Sequence, residues 1–201
     1  MKLKPQFKGA FWPIVAIAFA FFCLCNQANN PTPRVVNPLD LLPADDEIPG
    51  WISAANSNCV WEGVANNTEE LYNIFDGPGV IFVNNGWVNS VFRGYVDKNN
   101  STVNDTIPLC VQIFNQSTHA HALVIYTAEA FGEQPDTIIH NLGDTARMDT
   151  SLTNIVLMMV NKNYFIRLIL FKRDPIKDPI FKQALIDFGS AIVRRINAAL
   201  K

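Results

Sequence analysis

The most constraining feature of this sequence is a pair of adjacent stretches that are apolar on both alternating faces. Asn154 to Val160 places Val156, Met158 and Val160 on one side and Ile155, Leu157 and Met159 on the other. Tyr164 to Phe171 follows after Asn161-Lys162-Asn163, a short polar break of the kind that turns a β-hairpin. Strands that are apolar on both faces sit in the middle of a sheet, with other layers packed above and below. A chain holding such a hairpin must therefore supply two covering layers.

The covering material is visible elsewhere. After Asp178 and Pro179, residues Phe181, Ala184, Leu185, Phe188, Ile192 and Ile196 recur at helical spacing. This predicts a closing helix capped by Asp178, with Pro179 in its first turn and one apolar stripe facing the sheet. Asn67 to Phe75 reads as a second helix. Asn67 is its cap, Glu70 stands three residues on, and Leu71, Ile74 and Phe75 share a face. Asp76-Gly77-Pro78-Gly79 stops or kinks it. Val88 to Val96 and Ile107 to Phe114 read as strands joined by a polar loop. Ser117 caps a third helix running to about Ala130, with Ala120, Leu123, Val124 and Ala128 as packing positions. The order helix, two strands, helix, two or three strands, helix predicts an α+β domain, mainly antiparallel, with about three helices.

The first residues carry a different signal. Lys2, Lys4 and Lys8 precede an apolar run from Ala10 to Cys25, which ends at Asn26-Gln27. A basic flank followed by a short apolar run is the layout of a secretory signal peptide. The run is shorter than the roughly 20 residues of a spanning helix, so an uncleaved anchor is the alternative. Cleavage after Cys25 or Ala28 is expected. Lipidation of Cys23 or Cys25 is the minority reading, because Phe22 and Leu24 are large where such sites want a small residue. Residues 26–47 hold Pro31, Pro33, Pro38 and Pro43 among Asn and Asp, and read as an extended linker. Leu39, Leu41 and Leu42 within it are apolar enough to dock on the domain, which spans 48–201 on this reading.

Export fixes the reading of charge and thiols. The whole chain has net charge −2, and loss of residues 1–28 removes three lysines and no acid, leaving −5. No basic stripe remains, so nucleic acid is not an expected partner. Two cysteines lie beyond the leader, Cys59 and Cys110. In an oxidising compartment they are expected to pair.

Several short stretches carry a resemblance. Leu42-Pro43 with Ile48-Pro49-Gly50-Trp51, then Thr68-Glu69-Glu70-Leu71-Tyr72-Asn73-Ile74-Phe75-Asp76-Gly77, then Asn85-Gly86-Trp87 and Tyr164-Phe165-Ile166-Arg167-Leu168 follow one pattern. They resemble the bacterial exported domain-of-unknown-function family 6599, across about residues 40–198. The resemblance implies an exported envelope protein with strands and a closing helix, and it brings no activity. One departure is clear: the glycine, alanine and glutamate that follow the family's first glycine give way to Pro78, Gly79, Val80 and Ile81. The element order is also similar to a PsbP/Mog1-type α-β-α sandwich, an analogy of fold that implies no function.

Candidate chemistry is sparse. His119 and His121, with His140, invite a metal reading, but on a helix positions i and i+2 point apart. No metal and no cofactor is expected, and no phosphate-cradling glycine motif or nucleophile elbow is present. Asp76 could face a cleft, or simply bond its own turn as aspartates there do. Trp51, Trp61 and Trp87, with Phe82, Phe92 and Tyr95, could line a groove with Asp76 for a small ligand, or fill the core. Asn-x-Ser/Thr triplets begin at Asn66, Asn99, Asn100, Asn104 and Asn115; in a eukaryotic secreted chain they would be surface glycan acceptors, and in a bacterial protein they mark only an Asn-rich loop. The expectation is a non-enzymatic envelope domain that binds or scaffolds another envelope protein or a small ligand. It meets the membrane only through its N-terminal segment. The alternatives are a ligand-binding module with an aromatic groove, and a hydrolase using Asp76 with a histidine.

Overall fold

The computed structural model describes residues 36–54, 59, 61–99, 108–128, 137–150, 153–171 and 177–201. The leader, with Cys23 and Cys25, and the first part of the linker lie outside these residues. In chain order come a 3-10 turn (Pro38–Leu41), β1 (Trp51–Ser53), β2 (Gly63–Ala65), α1 (Thr68–Ile74), α2 (Gly79–Asn84), β3 (Trp87–Asp97) and β4 (Pro108–Gln116). There follow α3 (His119–Thr127), β5 (Thr137–Ile138), β6 (Thr145–Thr150), β7 (Asn154–Asn161), β8 (Tyr164–Phe171) and α4 (Asp178–Ala199). The eight strands form one sheet in the order β1-β3-β4-β8-β7-β6-β5, with β2 pairing β3 beside β1. Every pairing is antiparallel. The fold is the expected α+β domain.

The doubly apolar hairpin takes the expected place. β7 and β8 pair from Asn154↔Phe171 to Asn161↔Tyr164 and lie between β4 and β6. The turn is Lys162-Asn163. Lys162 adopts φ 56, and its N–H is held by Asp144 Oδ2 at 2.6 Å.

Alternation along the strands divides the core into two layers. On the first face Tyr95, Val111, Leu157 and Leu168 meet the stripe of α4, where Phe181, Ala184, Leu185, Phe188, Ile192 and Ile196 are all buried. Asp178 is the first residue of α4 and not its cap. Lys177 holds that position without a side-chain capping hydrogen bond to the helix, and Pro179 stands in the first turn as expected. On the second face Phe92, Phe114, Val160 and Phe165 meet α1, α2 and α3. Phe75 stands among Phe82, Phe92 and Phe114 with ring centroids 5.5–5.8 Å apart, so one aromatic cluster joins α1 and α2 to the sheet.

Local signals explain the helix ends. Asn67 Oδ1 accepts the Glu70 N–H at 3.0 Å, and Glu70 Oε2 accepts from the Asn66 N–H at 2.7 Å, so the reciprocal cap is shifted by one residue. Beyond the turn at Gly77 (φ 73) the chain does not go on to a strand but makes a second short helix, α2. The cap of α3 is Thr118, whose Oγ1 accepts from the His121 N–H at 3.2 Å, and not Ser117. Its packing positions are Ala122 and Ile125. Ala120 and Val124 are exposed, while Leu123 and Ala128 are half-buried, so the helix is turned relative to the expected face.

The entry segment is bound to the first face. Leu41 and Leu42 are buried there, whereas Leu39 is exposed. Tyr95 Oη donates to the Pro43 carbonyl at 2.7 Å, and burial pushes its phenol well above the ordinary value. Arg195 of α4 donates to the Asp40 carbonyl at 3.3 Å and pairs with Glu47. Among the described residues no helix is long and apolar enough to cross a membrane.

Candidate functional site

Cys59 and Cys110 form a disulfide, with Cα atoms 5.6 Å apart. Cys110, the third residue of β4, points to the second face, so the bond ties the stretch before β2 to an inner strand of the sheet. A pair of this kind is compatible with an oxidising compartment.

The other residues singled out from the sequence are not brought into one groove. Trp51 lies on the first face, buried edge-on against Phe188 at 5.7 Å. Trp61 and Trp87 lie on the second face, half-buried, and Trp61 meets Phe75 edge-on at 5.2 Å. The sheet separates them from Trp51. Asp76 is exposed, and its Oδ1 accepts the Gly77 N–H at 2.7 Å, an Asp serving its own turn.

The histidines also diverge. His119 Nδ1 donates to the Lys162 carbonyl at 2.6 Å, with Asp144 Oδ2 at 3.6 Å. His121 Nδ1 faces Ser117 Oγ at 2.8 Å, and His140 is exposed two residues after β5. No group of three metal-ligating side chains occurs among the described residues. Nor does a hydrogen bond or ion pair join Asp76 to a histidine there.

The most unusual chemistry lies where no sequence motif marks it. Register places Phe92, Gln112, Arg167, Met158 and Arg147 in one row across β3, β4, β8, β7 and β6. The whole row points to the second face. The next row toward α3 is Ser90, Phe114, Phe165, Val160 and Thr145, apolar through its centre. The row on the other side holds Cys110 of the disulfide and ends at Asp149, 6% exposed. An amide, a guanidinium and, beyond Met158, a second guanidinium therefore lie in one row across a covered sheet.

Each member has a definite setting. Gln112 is 1% exposed, and neither its Nε2 nor its Oε1 has a hydrogen-bond partner. Arg147 is half-buried, and its guanidinium carbon lies 4.7 Å from the Tyr126 ring centroid. Its Nη2 approaches Met158 Sδ at 3.8 Å, so the side chain leans inward along the row. The Nε of Arg147 is buried without a partner, and no carboxylate meets this guanidinium among the described residues. A cation held by a ring face and a sulfur keeps donors free for a planar acceptor.

The row is not legible in the sequence because its three polar members lie on separate strands. In the sequence Arg167 stands only as one residue of the strand Tyr164 to Phe171. The one available signal was a charged or amide residue at an inward position of an otherwise apolar strand, as at Gln112 and Arg167. No family model, curated protein or solved structure matches the chain.

Proposed function

We infer that this chain is a non-enzymatic binding or scaffolding domain of an exported cell-envelope protein. The observation that carries the binding half is the polar row across the second face. The Gln112 amide and the Arg147 Nε hold hydrogen-bonding capacity inside a covered sheet that no internal group uses. Folding alone favours apolar residues at such positions, as at Phe114 and Phe165 in the neighbouring row. Export is supported by the basic and apolar leader and by the Cys59–Cys110 disulfide. The hydrolase alternative loses its support, because Asp76 bonds its own turn and the histidines serve separate local contacts.

Intact mass of the protein from its native host tests both halves. Measured under denaturing conditions before and after reduction, it should lack residues 1–25 or 1–28 and accept two alkyl groups only after reduction. Acyl mass on an N-terminal Cys23 or Cys25 would make it a lipoprotein, still exported. A full-length mass with alkylatable cysteines would overturn export. Under non-denaturing conditions a retained small molecule or partner supports binding. Bare protein from every fraction of the host counts against it.

A further inference from the structure

The row on the second face also indicates what it binds, an argument that rests on the binding reading above. Neighbouring strands stand about 4.8 Å apart, so Gln112 and Arg147, three strands apart, are separated by roughly 14 Å along the row. Arg147 leans inward toward Met158, which shortens the gap between the two functional ends. Arg167 lies between them, half-buried. At one end is a planar cation with unused donors, and at the other an amide that both donates and accepts. The wall beside Arg147 is aromatic and apolar, formed by Tyr126, Met158 and Val156.

These ends ask for different groups on one molecule. A guanidinium fork matches a carboxylate bidentately, and a buried amide matches another amide with one donor and one acceptor. Asp149 stands two residues from Arg147 on the same face of β6, buried. Its carboxylate limits the excess positive charge and disfavours a dianion. We propose that the second-face row binds a small amide-containing monocarboxylate, its carboxylate on Arg147 and its amide on Gln112.

The test uses the full chain with hippurate as probe, which joins a carboxylate, an amide and an aromatic body. Hippuramide is the neutral control. Hippurate should bind saturably and raise the melting temperature, with hippuramide at least about tenfold weaker. Arg147→Gln should weaken hippurate about tenfold or more. If that variant fails to fold, Arg147→Lys keeps the charge and the stem without the fork, and should still weaken binding several-fold. Gln112→Leu removes an unpaired buried amide, so the free protein should melt higher while hippurate binds more weakly.

No saturable binding up to about 10 mM hippurate overturns the proposal. So does equal affinity in Arg147→Gln and Arg147→Lys. A lower melting temperature in Gln112→Leu also overturns it, since the amide would then be structural, paired through a buried water. Equal binding of hippuramide, still lost in Gln112→Leu, removes the carboxylate and leaves the binding reading standing. A retained mass in the native protein without any hippurate effect separates the two in the same way.

Discussion

Glu47 shows how one side chain fastens the start of the domain to its end. Its carboxylate accepts the Ala44 N–H at 3.0 Å, pairs with Arg195, and has Arg194 at 3.8 Å. Burial pushes the carboxyl up, but the Ala44 bond and the two arginines outweigh it, so its pKa lies below the ordinary value. A lowered pKa stabilises the fold above the unfolded value and stops doing so as pH falls through the folded one. Glu47→Gln should therefore cost about 0.5–1 kcal/mol near pH 7 and almost nothing near pH 2, read from urea melts at both. Gly143 makes a purely steric prediction. Its φ is 64, and an added Cβ would lie 2.6 Å from the Val160 carbonyl oxygen, an atom fixed in β7. Gly143→Ala should lose about 1–3 kcal/mol by the same assay. Neither residue was legible beforehand, because each acts on a partner distant in the chain. The disulfide was legible, since compartment and count left Cys59 and Cys110 only each other.

At the scale of elements, α4 was readable and α3 was not, for a physical reason. The stripe of α4 has polar residues on its other side, so its period declares the buried face. In α3 the run Ala122-Leu123-Val124-Ile125 is apolar all round, and the sheet chooses which side to bury. α2 went unseen because a six-residue helix carrying Val80, Ile81 and Val83 has little helical preference of its own, and the packing of Phe82 supplies what propensity lacks. β6 escaped location because Arg147 and Asp149 face the covered side, where apolar residues are sought. The strand that sequence pattern concealed thus carries one end of the candidate site. The α4 stripe also gives a prediction. Phe188 meets Trp51 at 5.7 Å and Tyr95 at 4.9 Å. Phe188→Ala should cost about 3–5 kcal/mol, seen as a lower urea midpoint with an unchanged slope.

At the scale of the whole molecule, the disulfide and the sheet order act on different parts. The disulfide spans a separation of 51 residues, for which the chain-entropy account gives roughly 4 kcal/mol at 25 °C. Melts of oxidised and reduced protein should differ by about that amount, and equal stability would place the restraint elsewhere. The α+β class and the covered central hairpin were readable because alternation survives in β7 and β8. The way the strands join was not, since β4 and β8 meet across α3, β5, β6 and β7.

That joint has a kinetic meaning. β3 with β4, and β5 through β8, are each built from neighbours in the chain, whereas the β4–β8 edge must be found across everything between. Closing it is the slow search in folding, because the loop entropy is lost before the pairing repays it. The disulfide links two points on the same side of that edge and shortens no part of the search. Oxidised and reduced chains should then refold at similar rates in stopped-flow measurements, with the difference appearing in how fast they unfold.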